Sequence, residues 1–273
     1  MRSPIAEAGD ARDEGRAHPR IDTAVSGPVL FARYAYGPNR LGLCGPDEAG
    51  ALLTGAARPD GSAAERDRLL RDLARRFEGA WPYLELIAHA NAIADPLDRR
   101  VVEAYWLGNA LQRSVGARAL GGSLDERFRR RLRADAWRWL AETPAAGAWP
   151  VHAYHVLDVF PKLGLLRGGP APGILETIDA CRIRWGTVVA ADGDWLAVDA
   201  PGIELVDGKL ALGPARPTRV RSALDGAGFV AGARPGDVIS IHWDWACDRL
   251  SPDAARALEA STRRELAIAN RSI

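Results

Sequence analysis

The pattern of hydrophobic and polar positions changes along the chain. Over residues 46–165, apolar residues recur every three or four positions, which is typical of amphipathic helices. Over residues 183–245, apolar and polar residues alternate in short runs separated by turn-forming pairs such as Asp192-Gly193 and Asp207-Gly208, which favours short strands. Residues 251–268 return to the helical pattern. The sequence therefore predicts an α+β protein, with helices first, then a small antiparallel barrel or sandwich, then a closing helix.

The same pattern predicts three segments. Residues 1–25 are polar, charged and contain several Gly and Pro residues, so we expect a disordered tail. Residues 26–170 form an α-helical domain, and residues 171–273 form the strand region with its C-terminal helix. The Gly- and Pro-rich stretch LLRGGPAPG lies at the boundary between these two domains.

One helix is predicted over residues 124–139. It is marked by apolar residues spaced three or four apart, namely Leu124, Phe128, Leu132, Ala136 and Trp139. The arginines between residues 127 and 133 would then form the solvated face of this helix. We interpret them in that way rather than as a nucleic-acid-binding patch, because Asp125, Glu126 and Asp135 dilute their charge.

Composition and charge exclude several classes of function. With 36 Lys+Arg against 35 Asp+Glu and a net charge of +1, the chain lacks the basic excess of a nucleic-acid binder. No run approaches the ~18 apolar residues of a membrane-spanning helix, and the first residues lack the apolar core of a signal peptide. The three cysteines are odd in number and widely spaced, so they form no disulfide framework. We expect a cytoplasmic protein with reduced thiols, and neither nucleic acid nor membrane as a partner.

Two motifs begin and end the strand region. The first runs from Cys181 through Gly186 to Val188, and the second contains Gly236-Asp237-Val238 followed by His242. In order and spacing these motifs resemble those of the HypC/HupF-type chaperones of [NiFe]-hydrogenase maturation. The resemblance covers roughly residues 181–260. The whole chain also looks like an uncharacterised bacterial family found near hydrogenase genes.

The resemblance implies a fold, a cargo and partners. Such chaperones are small OB-like barrels that carry iron with cyanide and carbonyl ligands, transiently bound, together with a HypD-like scaffold protein. Cys181 would be the thiolate ligand of this iron and His242 would belong to the same site, which suits the preference of low-valent iron for soft ligands. The chain would then be an accessory protein that binds rather than catalyses. Its helical domain would dock the HypD-like scaffold or the [NiFe]-hydrogenase large-subunit precursor.

Other residues near these motifs are further candidates. Asp244 and Cys247 follow His242 closely and could add metal ligands, although no second cluster completes a zinc set. Trp185, Trp243 and Trp245 are interpreted as core aromatics or as contacts to a partner. The pair His152 and His155 would share a helix face, but two histidines alone bind a metal poorly, and both fit packing equally well.

Cys44 suggests an alternative function. Gly45-Pro46 behind it predicts a helix N-terminus, where the helix dipole lowers the pKa of a thiol. Cys44 is therefore either a reactive or ligating thiol or a buried packing residue. The alternative is a thiol- or metal-dependent enzyme on a repurposed HypC-like barrel, with Cys44 or Cys181 as the nucleophile and a histidine as the base. A structural adaptor that has lost its ligand is the third hypothesis.

Overall fold

The computed structural model describes residues 25–57, 62–161 and 173–273. Helices come first, a closed β-barrel follows, and a long helix ends the chain, which confirms the predicted α+β fold class. The predicted tail and the predicted boundary near residue 170 lie outside the described residues, apart from Val25, which is buried. The limits of the predicted domains therefore stay predictions.

The helical part packs around a shared apolar core. Short 3-10 and π-helical turns, Leu111–Ser114 and His155–Val159, supplement its α-helices. Within the described ranges, no helix combines the length and the apolar character needed to cross a membrane. The helices before the barrel are α1 (Gly27–Asn39), α2 (Ala49–Ala57), α3 (Ala63–Arg75), α4 (Trp81–Ala90), α5 (Arg99–Trp106), α6 (Ala117–Phe128), α7 (Ala134–Glu142), α8 (His152–Tyr154) and α9 (Ile174–Cys181).

Helix α1 is central to the helical part, although the sequence pattern did not predict it as a helix. Nearly all of its side chains are buried, so it lacks the polar face that marks an amphipathic helix. Gly37 within this helix has a packing role. A Cβ at Gly37 would lie 2.5 Å from the carbonyl oxygen of His242, so only glycine lets α1 approach the barrel this closely.

The prediction of one continuous helix over residues 124–139 is wrong. Helix α6 ends at Phe128 and α7 begins at Ala134, with Arg129, Arg130 and Arg131 of the run in the turn between them. The turn reorients the second helix, so that Leu140 is fully buried while Trp139 is 47% exposed. The apolar spacing is present in the sequence, but it spans two helices rather than one.

The strands form a closed five-stranded barrel in the order β1-β2-β3-β7-β6. Neighbouring strands run antiparallel except β3 and β7, which are parallel. A closed Greek-key barrel of five strands is the OB arrangement, so the predicted OB-like barrel is confirmed. The strands are β1 (Arg184–Asp192), β2 (Trp195–Val206), β3 (Lys209–Arg221), β6 (Val238–His242) and β7 (Trp245–Arg249), with the small hairpin β4 (Ala223–Leu224) and β5 (Ala227–Gly228) beside them.

The packing of β1 against β2 explains why residue 186 of the first motif is a glycine. A Cβ at this position would lie 2.5 Å from Cγ1 of Val198 and 2.7 Å from the carbonyl oxygen of Asp199. Both contacts are shorter than carbon atoms tolerate, so a side chain here would push β1 away from β2. The glycine therefore permits the close strand packing that closes the barrel.

The barrel joins the helical part through its β6–β7 end. Trp245 and Cys247 of β7 belong to the same hydrophobic cluster as the helices, whereas the barrel interior forms a second cluster. The closing helix α10 (Pro252–Ala269) packs its Leu258 and Leu266 into the first cluster. The turn that connects β6 and β7 thus lies against the helices.

Candidate metal centre

Three potential metal ligands meet where the helical part contacts the barrel. Cys181 is the last residue of α9, His242 is the last residue of β6, and His152 is the first residue of α8. One ligand atom from each lies within 4.8 Å of the other two. The structure therefore brings together Cys181 and His242, as the sequence suggested, and adds His152, which the sequence analysis interpreted as a packing residue.

Hydrogen bonds join the end of α9 and the start of β1 to the β6–β7 turn. The backbone N–H of Trp243 donates to the carbonyl oxygen of Ala180 over 2.8 Å. The Nη2 of Arg184, at the start of β1, donates to the carbonyl oxygen of Trp243 over 2.5 Å. These bonds hold Cys181 next to His242 although 60 positions of sequence separate them.

The surroundings of His242 determine which of its nitrogens can bind a metal. Nδ1 lies 2.6 Å from the carbonyl oxygen of Tyr34, and a carbonyl only accepts, so Nδ1 carries the proton. Nε2 then presents a lone pair, and this buried atom has no hydrogen-bond partner among the described residues. Burial lowers the pKa of His242 well below its usual value, which keeps the imidazole neutral. A neutral imidazole with a free lone pair is the form that binds metals.

In His152, by contrast, both ring nitrogens have a hydrogen-bond partner. Its Nε2 lies 2.9 Å from the carbonyl oxygen of Cys181, and its Nδ1 lies 3.3 Å from the hydroxyl of Tyr105. Burial lowers the pKa of His152 to about 4, so this ring is also neutral. The carbonyl of Cys181 only accepts, so Nε2 carries the proton and Nδ1 accepts from the hydroxyl of Tyr105. Binding a metal through Nε2 would move this proton to Nδ1, where the Tyr105 oxygen can accept it.

The two imidazoles share one aromatic wall. Trp106 of α5 contacts His152 and His242, with ring centroids 4.7 and 5.8 Å away. The two imidazole rings themselves lie 5.0 Å apart at 72°. This apolar wall restricts water and fixes the orientation of both rings.

The thiol of Cys181 is protonated at neutral pH in this arrangement. Burial raises the pKa of the Cys181 thiol to about 12, and nearby Cys44 raises it further, while the indole of Trp243 opposes the shift. A metal would have to displace this proton, as thiol ligands generally require. A raised thiol pKa does not suit a cysteine nucleophile, which needs a thiolate.

Trp243 has an unusual backbone conformation. Its φ is +58°, a left-handed value that is rare for a bulky residue. The residue forms the β6–β7 turn, and its half-buried indole lies beside the Cys181 thiol. Trp185 is half-buried as well, so contact of both tryptophans with a partner stays a prediction. Trp245 is fully buried against Tyr36, and a role in binding a partner does not fit this burial.

The other residues that follow His242 are not brought into the cluster. Asp244 forms an ion pair with Arg40 of the α1–α2 loop. Cys247 is fully buried on β7, and its Sγ donates to the carbonyl oxygen of Trp245. The set His242, Asp244 and Cys247 therefore does not converge on one metal position, because the turn directs each side chain to a different neighbour.

The lowered thiol pKa expected for Cys44 is wrong. The residue as a whole is exposed, whereas the groups around its thiol raise the pKa to about 12 by desolvation. Helix α2 begins only at Ala49, so no helix N-terminus reaches the sulfur, and the effect of the dipole is confined to the first turn. Whether Cys44 is functional stays a prediction.

The sequence carried little signal for His152 and Tyr105. Both lie in apolar helical segments, where a histidine or tyrosine at the buried spacing is indistinguishable from a packing residue. Only the docking of α5 and α8 against the barrel shows that they face Cys181 and His242. Their contribution could not be found without the tertiary contacts.

Comparison with known proteins places the chain in a family. No curated protein and no solved structure matches it. A family model described as "Family of unknown function (DUF6390)" matches residues 23–273, a region that includes all three residues of the cluster. The chain therefore belongs to this family.

Proposed function

We propose that the protein is an accessory protein that binds a transition metal through His152, Cys181 and His242. The observation that carries this proposal is Nε2 of His242, a buried lone pair without a hydrogen-bond partner in the described structure, in a cluster with a thiol and a second imidazole. A buried polar atom left without a partner costs about 1–3 kcal/mol. Binding a metal at this atom would offset that cost.

The donor set favours particular metals. Two neutral imidazoles and one thiolate suit zinc, iron or copper, whereas magnesium and calcium prefer oxygen ligands. The hydrogen bond from His242 to Tyr34 and that between His152 and Tyr105 are the outer contacts that usually orient metal-binding histidines. The cluster thus has the chemistry of a transition-metal site in both its ligands and their supports.

The cargo that we propose is iron with cyanide and carbonyl ligands, delivered during [NiFe]-hydrogenase maturation. The support is the resemblance of the barrel motifs to HypC/HupF-type chaperones, since Cys181 and His242 are the two motif residues that meet in the cluster. A HypD-like scaffold protein or the hydrogenase large-subunit precursor would be the partner, in the cytoplasm. The helical part would supply the third ligand, His152.

A metal-dependent enzyme is the second candidate. Catalytic zinc sites commonly have three protein ligands and an open fourth position for water, and the cluster supplies three ligands. A thiol-dependent enzyme is less well supported, because the pKa values of Cys44 and Cys181 are both raised.

The proposal is tested by anaerobic co-purification of the tagged protein from cells that produce active hydrogenase maturation factors. We expect bound iron and infrared bands of cyanide and carbonyl, both lost in Cys181→Ala. The matched control is Cys247→Ala, which removes a thiol outside the cluster and should retain the bands. Bound metal without these bands would overturn the proposed cargo. Absence of any bound transition metal, also after incubation with ferrous iron or zinc, would overturn the metal-binding function itself.

A further inference from the structure

A metal bound by His152, Cys181 and His242 would leave one coordination position for a ligand from outside the chain. Among the described residues, no fourth histidine, cysteine or carboxylate joins the group of ligand atoms that lie within 4.8 Å of one another. Zinc held by three protein ligands keeps its fourth position for water or substrate. With one thiolate and two neutral imidazoles, a divalent ion would also retain one positive charge, which an anion in that position would neutralise.

The indole of Trp106 lies against the two imidazoles of this cluster. Its ring centroid is 4.7 Å from that of His152 and 5.8 Å from that of His242. The residue is only 4% exposed, and its Nε1–H has no hydrogen-bond partner among the described residues. An indole nitrogen only donates, so it cannot bind the metal itself. A metal alone would therefore leave this buried donor unpaired, which is unfavourable.

Two unpaired groups of opposite character thus belong to neighbouring rings. Nε2 of His242 is a buried acceptor without a donor, and Nε1–H of Trp106 is a buried donor without an acceptor, within the part of the chain that the structure describes. A metal ion would satisfy the first group, whereas only an acceptor atom would satisfy the second. An anion bound to the metal by one end supplies such an acceptor at its other end, so metal and anion together would pair both groups.

An unpaired indole by itself does not indicate a ligand site. Trp245 is fully buried, and its Nε1–H also lacks a partner among the described residues, but its ring packs on Tyr36 and Phe229. Trp106 differs because its ring contacts both candidate imidazole ligands. Trp245 is therefore the matched control, and Trp243, whose indole is also unpaired and which directly follows His242, is the rival donor.

We propose that the centre binds a small monovalent anion, such as azide or cyanide, end-on at the open position of the metal, with Nε1–H of Trp106 donating to the outer atom of the anion. This inference rests on the proposed function, since it requires a metal at the other three residues. The anion would replace a water molecule, so one metal–oxygen bond breaks, one bond to the anion forms, and no electrons are transferred. In the proposed cargo the acceptor would be a cyanide nitrogen, because the negative charge of cyanide makes it a stronger acceptor than carbonyl.

The first test is an anaerobic titration of the full chain with cobalt(II) and then with azide. The thiolate charge-transfer band reports the bond between cobalt and Cys181, and the visible bands of cobalt(II) report the exchange of water for azide. We expect Trp106→Phe to bind azide at least about tenfold more weakly than wild type, because the lost hydrogen bond is to a charged group. Its affinity for cobalt(II) should change much less, since the indole is not a ligand. Trp245→Phe should keep the azide affinity of the wild type.

A second measurement uses the wild-type protein, in case a variant does not fold. In NMR spectra of the zinc-loaded chain, azide should shift the Nε1–H resonance of Trp106 downfield, as a new hydrogen bond does, and should leave that of Trp245 in place. A Trp106 resonance that stays unmoved in the azide-bound protein would contradict the inference, because it would leave Trp106 with a packing role alone.

The outcomes separate this inference from the proposed function. A wild-type protein that binds no cobalt(II) would overturn both. Bound cobalt(II) whose visible bands do not respond to azide would overturn only the anion site. Azide affinity that is lowered by Trp243→Phe and unaffected by Trp106→Phe would assign the donor to the β6–β7 turn and overturn the role of Trp106. Equal weakening by Trp106→Phe and Trp245→Phe would do the same, since it would reflect packing.

Discussion

The two faces of strand β6 are both buried, but they lie in different environments. Ile239 and Ile241 point into the barrel, where they pack against apolar residues such as Val188, Val198 and Val220. Ser240 and His242, which alternate with them, point towards the helical part. One strand therefore contributes to two cores with different chemistry.

The face towards the helices is polar and hydrogen-bonded. The hydroxyl of Tyr34 lies 2.9 Å from Oγ of Ser240, and the carbonyl oxygen of the same tyrosine accepts from His242. An isolated barrel would expose this outer face to water. Covered by α1, it becomes a buried polar surface, where desolvation lowers the pKa of His242 and leaves Nε2 free. The comparison indicates that the barrel interior stabilises the fold while the covered outer face positions the candidate ligands.

The largest effect on stability is expected inside the barrel. Ile241→Ala should lower the free energy of unfolding by about 2–5 kcal/mol, because it leaves a cavity in a fully buried apolar core. The affinity of the folded protein for cobalt(II) should remain unchanged, since the side chain points away from the ligands. Denaturant unfolding and cobalt titration measure the two quantities. A large loss of cobalt affinity in folded Ile241→Ala protein would contradict the separation of the two faces.

His242→Phe should reduce cobalt(II) affinity strongly while changing the free energy of unfolding little, the reverse of Ile241→Ala. Phenylalanine keeps an aromatic ring of similar size but removes the free Nε2, so cobalt binding should fall by more than about 100-fold. The free energy of unfolding should change by only about 1 kcal/mol, because the lost hydrogen bond to Tyr34 is offset by removal of an unpaired polar atom. Unfolding measurements on the metal-free protein test this expectation. Stability reduced as much as in Ile241→Ala would show that His242 is mainly a structural residue.

Tyr105→Phe is expected to act through His152. The substitution removes the hydroxyl 3.3 Å from Nδ1 of His152 but keeps the ring that stacks on Tyr83. Cobalt affinity should fall by about 10-fold, as for other outer contacts of metal-binding histidines, while the charge-transfer band at saturation stays the same. The comparable variant Tyr154→Phe removes a hydroxyl that bonds Thr143 instead, and it should leave cobalt affinity unaltered. Equal effects of the two variants would assign Tyr105 to packing alone.

The smallest change in stability is expected from substitution of Glu265 of α10, whose carboxyl group is buried in the helical core. Burial, reinforced by Asp158, raises its pKa well above the usual value. The folded state therefore keeps a proton that the unfolded state loses above about pH 4.3, so this residue makes the protein less stable as pH rises through that range. Glu265→Gln should remove this dependence and be more stable than wild type at neutral pH by about 1 kcal/mol or more.

Unfolding curves between pH 4 and pH 8 would measure this difference. The variant should lose its advantage as the pH falls towards about 4, since the wild-type carboxyl is then protonated in both states. Glu259→Gln is the matched control on the same helix, because Glu259 is partly exposed and pairs with Arg263. Identical pH profiles for wild type and Glu265→Gln would rule out the carboxyl as the source of the pH dependence.

The barrel and two of the three candidate ligands, Cys181 and His242, could be predicted from the sequence because their signals are local. The alternation of apolar and polar residues in β1 and β6 is visible over a few residues. The two motifs place Cys181 shortly before the first barrel strand and His242 at the end of a late strand. Pairing of β1 with β6 then brings these two residues together. Such pairing follows from closing the barrel, which the strand pattern already indicated.

Other features could not be predicted from the sequence pattern because they depend on what the helices pack against. Helix α1 has no polar face and contains Gly37-Pro38, so its pattern is that of a loop, although burial on all sides makes it a stable central helix. The break between α6 and α7 was missed because apolar spacing continues across the turn. In both cases local periodicity was a poor guide to a structure decided by long-range contacts.

By itself, the sequence determined the α+β order of elements, the alternation of the barrel strands and the meeting of Cys181 with His242. Only the tertiary structure decided that His152 joins them, that Nε2 of His242 is left free, and that the indole of Trp106 packs against both imidazoles. The physical reason is that strand and helix patterns depend on neighbouring residues. Burial, tautomers and pKa values depend on the docking of the helical part on the outer face of the barrel, which no local pattern encodes.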